Sequence, residues 1–169
     1  SLKTDSDTEV LLRLLIQKGP LVLPELNGMF SFIFHDRLKN QWIAARDHFG
    51  IKPLYYTDSG TELIFASEIK AMIVHPNVSA RRDQRGLHQY LSFQFCLEDR
   101  TLFENIYKVR PGHYLIGHGT KIDKDVCYWE PNYRVEEYGD AGEYREELRF
   151  LLEDSVRLRL RADVAIGAH

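Results

Sequence analysis

The stretch Phe30-Ser31-Phe32-Ile33-Phe34-His35-Asp36-Arg37-Leu38-Lys39-Asn40-Gln41-Trp42-Ile43-Ala44-Ala45-Arg46 decides the fold class. Residues 30–34 are read as a strand covered on both faces. Residues 36–40 are polar and turn-forming, and residues 41–46 form a second strand, so the pair predicts a hairpin. Two more strands are expected at 51–56 and 62–67, around the turn Asp58-Ser59-Gly60. Upstream, Ser6-Asp7-Thr8-Glu9 has the form of a capping box, with Ser6 at the N-cap and Glu9 three residues on. The helix it opens runs to about Lys18, places Val10, Leu11, Leu14 and Leu15 on one face, and stops at Gly19-Pro20. A short helical turn near Pro24-Glu25 and a short helix over 69–74 complete the pattern. A helix followed by four close strands is an α+β arrangement, and strands 29–35, 41–46, 51–57 and 62–67 are expected to be mutually antiparallel and adjacent.

Outward from this block, residues 76–100 are mixed and polar, with a helix over 83–93. Strands are expected at 107–116, which contains the turn-prone Pro111-Gly112, and at 126–130. Residues 131–139 read as a polar loop. From 141 to 160 the period is helical, with Tyr144, Leu148, Leu151, Leu152 and Ser155 on one face and Arg157, Arg159 and Arg161 complementing the C-terminal dipole. A strand is expected from Val164. It ends inside an apolar run, so the helix-strand pair reads as the opening of an α/β unit that continues elsewhere. Three parts are therefore expected: 1–75, a connecting region over 76–139, and 140–169. Ser1-Leu2 is left out of the fold reading.

The chain has 169 residues, 44% hydrophobic and 28% charged, with net charge −3. That is globular composition with room for a core. The charge gives no reason to expect nucleic acid or an anionic membrane as partner. No apolar run reaches the roughly 20 residues of a membrane helix, and no signal peptide is seen. Two cysteines make no disulfide framework, which fits a reducing, cytoplasmic location.

Most candidate chemistry has a bland explanation. Gly112-His113-Tyr114-Leu115-Ile116-Gly117-His118-Gly119 has phosphate-loop glycine spacing, but it lacks the Lys that would meet the phosphates and reads as a strand flanked by turns. The seven histidines show no metal-ligand spacing. Cys96 and Cys127 have no base beside them in sequence and read as structural thiols. In Arg46-Asp47-His48-Phe49-Gly50, Asp47 is expected to hydrogen-bond backbone and Gly50 to take positive φ. Asp7 alone reads as a carboxylate favoured by the helix dipole.

Three stretches taken together say more. Ser6-Asp7-Thr8-Glu9-Val10-Leu11-Leu12 is the first. The second is Leu26-Asn27-Gly28-Met29-Phe30-Ser31-Phe32 through Ala45-Arg46-Asp47-His48-Phe49-Gly50-Ile51-Lys52-Pro53-Leu54-Tyr55-Tyr56. The third is Phe65-Ala66-Ser67-Glu68-Ile69-Lys70-Ala71. In this order they resemble the later half of the glutaminase domain of class II glutamine amidotransferases, and above all of glutamine-hydrolysing asparagine synthetases. Leu102-Phe103-Glu104-Asn105-Ile106 and Val109-Arg110-Pro111-Gly112-His113-Tyr114-Leu115 resemble the segment leading out of that domain. Residues 163–169 resemble the strand before the synthetase pyrophosphate loop.

The resemblance implies a partial αββα sandwich of the N-terminal-nucleophile hydrolase type, followed by a linker and the first helix-strand of an α/β synthetase domain. It implies a cytoplasmic ATP-dependent ligase that takes ammonia from glutamine and transfers it to aspartate, with ATP and Mg2+ as cofactors of the intact enzyme and none on this chain. A β-lactam-forming or other amide synthetase of the same plan, and a non-catalytic glutaminase-derived module, are the alternatives. In the family the nucleophile is an N-terminal Cys, with an Arg for the substrate carboxylate and an Asn-Gly pair for the oxyanion. All three precede the segment that Ser6-Asp7-Thr8-Glu9 matches, so no catalytic residue is assigned in this chain and the fragment is expected to be inactive. Asn27-Gly28 matches a later, structural pair, and Ser1 is no substitute nucleophile. Asp7 is the single glutamine-binding residue carried over: its carboxylate, partly desolvated at the helix start, would grip the substrate α-ammonium. No nucleic acid or membrane partner and no metal ligand are implied, and a homodimer is compatible.

Overall fold

Ser6 caps the first helix as the sequence expects, its Oγ accepting from the Thr8 N–H at 3.2 Å, and α1 runs over Asp7–Lys18. Gly19, at φ +60°, ends it, and a 3-10 turn follows over Gly19–Glu25. The computed structural model describes residues 2–4, 6–133, 140–162 and 164–167, and the chain divides into two compact units, 1–131 and 132–169.

The first unit holds two antiparallel sheets. One has the order β1 (Ser31–Asp36), β2 (Gln41–Arg46), β6 (His113–His118), β7 (Lys121–Cys127). The other has the order β4 (Leu63–Ala66), β3 (Tyr55–Asp58), β5 (Tyr107–Lys108). The hairpins β1–β2 and β3–β4 form as predicted, with Phe34 opposite Ile43 and Tyr56 opposite Phe65. The four strands are not mutually adjacent, however. β2 takes β6 as its second neighbour, and β3 takes β5. The turn after β2 carries the chain out of one sheet and into the other. The expected strand 107–116 is likewise two strands in different sheets, because Gly112 at φ +65° redirects the chain after Pro111. The strand expected at 126–130 lies at 121–127. Residues 76–131 thus belong to the same unit as 1–75, since β5, β6 and β7 complete both sheets.

The alternation of side chains explains the packing. Trp42, Ala44 and Leu115 point from the first sheet toward Leu54, just before β3, and toward Tyr56 and Phe65 of the second, with the Trp42 and Phe65 rings edge to face at 5.4 Å. Ile43 and Ala45 point the other way and pack with Phe32, Phe34 and Leu23 of the 3-10 turn. Leu23, Leu115 and Met72 are fully buried, each worth about 2–3 kcal/mol against exposure. β2 is therefore the strand covered on both faces. β1, to which that role was assigned, stands at the edge of the described sheet, with Ile33 49% exposed and only its Phe side chains packed in a core cluster.

α2 (Ile69–Met72) and α3 (Gln84–Phe93) lie at the predicted places, α3 capped by the Asp83 carboxylate on the Gly86 N–H. In the second unit, α4 spans Ala141–Arg159, but its stripe of Tyr144, Leu148, Leu151 and Leu152 is exposed. Val164 to Gly167 are not in a strand. A strand needs a ladder partner, and no described residue offers one there. Asp163, Ala168 and His169, at the ends of that expected strand, lie outside the described residues.

One buried carboxylate ties the first unit together. Asp47 is 2% exposed and accepts from the N–H groups of Phe30 (3.2 Å), Ile51 (2.9 Å) and Lys52 (2.9 Å). Its carbonyl accepts from the N–H of Gly50 and of Gly112, each at 3.0 Å. Beside it, the Arg46 guanidinium donates to the carbonyls of Lys52 (2.8 Å), Val109 (2.9 Å) and Gly50 (2.6 Å). Gly50 has φ +65°, and a Cβ there would lie 2.9 Å from Arg46 Cζ. Both sequence expectations for this turn hold. Asp47→Ala would strand three N–H groups at a buried site and is expected to cost about 3–5 kcal/mol in urea denaturation. Asp47→Asn keeps one acceptor oxygen and should cost about 1–3 kcal/mol. A loss below about 1 kcal/mol for Asp47→Ala would show that the turn is held elsewhere.

Candidate functional site

A cavity of about 560 Å³ opens between the first turns of α1 and the segment between the 3-10 turn and β1. Asp7 and Thr8 stand on the helix side, over an apolar wall of Val10, Leu11 and Leu14. Met29, Phe30 and Phe32 form the other wall, with Lys52 among the lining residues. Lys52 is fixed through its backbone, its N–H on Asp47 and its carbonyl on Arg46. A carboxylate above an apolar wall can orient a small cationic or zwitterionic ligand, the charge setting direction and the wall excluding water.

Asp7 is exposed rather than partly desolvated, and one of its oxygens accepts from Thr8 Oγ1 at 3.3 Å. Asn27 and Gly28, read as structural, lie on the wall of the same cavity.

Glu9 behaves differently from the expected capping box. Instead of returning to the Ser6 N–H, its carboxylate accepts from the N–H groups of Lys3 (2.9 Å) and Thr4 (2.7 Å) and from Thr4 Oγ1 (2.8 Å), and it pairs with Arg13 at 2.7 Å. The Lys3 N–H above all, then Arg13 and Thr4, holds its pKa down at about 2. The residues before the helix are thereby tied to the first turn of α1, which also carries Asp7. Glu9 was visible in sequence, but its partners were not, because they depend on how residues 3 and 4 fold back.

The other candidates are not brought to this cavity. The Cys96 thiol donates to the Gly86 carbonyl at 3.5 Å, and burial pushes its pKa up, the opposite of activation. Cys127 Sγ lies 3.3 Å from the Trp129 carbonyl. His113 Nδ1 lies 2.7 Å from Asp125, which also pairs with Arg110, and His118 Nδ1 lies 2.6 Å from Asp123. These pairs join β6 to β7, and sequence spacing could not show them. His48 packs among Phe30, Tyr128 and Trp129. Residues 113–118 form β6, as the strand reading of the glycine-spaced run requires. Among the described residues no group of His, Cys, Asp and Glu is placed to hold a metal ion, and no helix is long and apolar enough to cross a membrane.

The family model described as a glutamine amidotransferase domain matches residues 1–129. The chain belongs to that family. It is 36% identical to glutamine-hydrolysing asparagine synthetase 1 of Bacillus subtilis over 98% of this chain and 26% of the relative. It is 37% identical to asparagine synthetase 2 of the same organism over 98% of this chain and 24% of the relative. It is 35% identical to the amidase chry2 of Gibberella zeae, again over 98% of this chain and 24% of the relative. The chain thus spans about a quarter of the length of these curated relatives. The glutamine amidotransferase match therefore covers residues 1–129, and the similarity to asparagine synthetases extends over nearly all of the sequence.

The Glu9 contacts give a test of how this amidotransferase segment is organised beside Asp7. Because folding lowers the Glu9 pKa, the contact stabilises fully above the ordinary carboxylate range and is lost as pH falls through about 2. A carboxyl-carbon NMR titration should place Glu9 near 2. Glu9→Gln should speed amide exchange at Lys3 and Thr4, and a midpoint at the unperturbed value would show that the contact does not form.

Proposed function

We propose that the chain is part of an ATP-dependent asparagine synthetase that hydrolyses glutamine and passes the ammonia to aspartate, and that Asp7 holds the α-ammonium of glutamine. The family match over residues 1–129 carries the reading, because it spans the Asp7 cavity and both sheets. The two face-to-face sheets with a helical layer outside one of them fit three layers of an αββα sandwich. On this reading α4 opens the synthetase domain, and the protein is cytoplasmic.

What these residues do in the reaction follows from their chemistry. The Asp7 carboxylate stands where an ammonium can meet it in a charge-assisted hydrogen bond, with the substrate's methylene chain along Leu11 and Leu14. Asp47 and Arg46 fix the opposite wall. Amide hydrolysis needs a nucleophile, a base and an oxyanion hole. The Cys96 thiol donates to the Gly86 carbonyl and burial raises its pKa, and Cys127 Sγ meets the Trp129 carbonyl, so the 169 residues alone are expected to release no ammonia from glutamine above a protein-free blank. On this reading ATP and Mg2+ serve the synthetase part of the intact enzyme. A second reading keeps the same plan with another acceptor, and the match to a protein named an amidase is compatible with a substrate other than aspartate.

Asp7→Asn in the complete protein tests the assignment. The change keeps shape and removes charge. A charge-assisted hydrogen bond is worth about 1.5–3 kcal/mol, so kcat/KM for glutamine should fall roughly ten- to hundredfold while ammonia-dependent synthesis stays nearly intact. Losing a helix-dipole charge alone costs only about 0.3–1 kcal/mol of stability. Equal losses with both nitrogen sources would make Asp7 a folding residue.

A further inference from the structure

The hydrogen bonds at the start of α1 form a chain that ends on Asp7. The Thr4 hydroxyl donates to Glu9 Oε2 at 2.8 Å and accepts from the Ser6 N–H at 3.4 Å. Ser6 Oγ in turn accepts from the Thr8 N–H at 3.2 Å, and the Thr8 hydroxyl donates to Asp7 Oδ1 at 3.3 Å. In a direct capping box the glutamate itself would meet the Ser6 N–H. Here the Thr4 hydroxyl stands between them and closes the box through one extra link.

That link has a single direction. An ionised carboxylate only accepts, so the one Thr4 hydroxyl proton goes to Glu9, and a lone pair is left for the Ser6 N–H. Glu9 is held from the other side by Arg13 at 2.7 Å. It also takes the N–H groups of Lys3 and Thr4, which fixes the backbone that carries the hydroxyl. At the far end, the bond to one Asp7 oxygen restricts rotation of the carboxylate and so sets the direction of the other oxygen. The same segment adjoins the cavity wall: Val10 lines both the Asp7 cavity and a hollow shared with Leu2, Lys3 and Thr4. Thr4 itself is not among the residues that line the Asp7 cavity.

We propose that Thr4 is a positioning residue for glutamine, acting through Ser6 and Thr8 to aim the Asp7 carboxylate at the substrate α-ammonium. This rests on the reading that Asp7 is the glutamine ligand. Because Thr4 acts on the ligand's orientation and not on the reacting amide, its loss weakens glutamine binding and leaves the chemical steps alone.

Thr4→Val in the complete protein tests this, since it keeps the branched shape and the N–H on Glu9 and deletes only the hydroxyl. The KM for glutamine should rise roughly three- to tenfold, the scale of one ordinary hydrogen bond, while kcat with glutamine and synthesis from ammonium stay within about twofold. Thr4→Ser, which restores the hydroxyl, should restore the KM. Adding Thr4→Val to Asp7→Asn should raise the KM no further, because no charge is left to aim. Should Thr4→Val lose its native circular dichroism, Thr4→Ala takes its place in the same assays. An unchanged KM in Thr4→Val beside a glutamine-specific loss in Asp7→Asn overturns the role of Thr4 and leaves the Asp7 reading standing. So does an additive loss in the double variant, an equal loss with both nitrogen sources in Thr4→Val, or a failure of Thr4→Ser to restore the KM. Equal losses with both nitrogen sources in Asp7→Asn overturn the two readings together.

Discussion

The Asp47 carboxylate is the constraint on which the first unit depends. A buried charge that accepts from three backbone N–H groups cannot be moved without leaving donors unpaired at each end. Those donors belong to the residue before β1 and to the exit of the turn after β2. Asp47 therefore decides how the chain enters one sheet and how it leaves for the other. Arg46 completes the arrangement from the opposite side, gathering carbonyls from the turn and from Val109, fifty-seven residues beyond Lys52. Tyr128 closes it by donating to the Arg46 carbonyl at 2.7 Å, and burial raises its phenol pKa.

The candidate site inherits its geometry from this arrangement. Lys52 and Phe30 line the Asp7 cavity, and both have their backbone amides on Asp47. The helix side is held separately, by the Ser6 cap and by Glu9 reaching back to residues 3 and 4. A ligand in the cavity would thus meet one wall anchored in the buried network and one anchored at the helix start. This division explains why the site can lie at the surface and still present fixed groups.

The local structure was legible wherever neighbouring residues decide it. Ser6, Gly19-Pro20 and Asp83 mark helix ends through bonds made within a few residues. Gly50 and Asp47 announced a tight turn for the same reason. The hairpins β1–β2 and β3–β4 followed from short polar connections. The Asp7 proposal rests on family resemblance, since one carboxylate in a first helical turn has no distinctive spacing.

By itself, then, the sequence determined the helices, the two hairpins, the α+β class and membership in the amidotransferase family. Tertiary structure alone decided which strands became neighbours. β2 met β6 across some seventy residues because Gly112 and the Asp47 carbonyl turned the chain there, a pairing with no local signal. It also left β1 at the edge of the described sheet and residues 164–167 outside any described strand. The physical reason is common to both. Apolar composition sets a preference for burial, whereas burial itself requires a covering layer and a ladder partner, which only the assembled chain supplies.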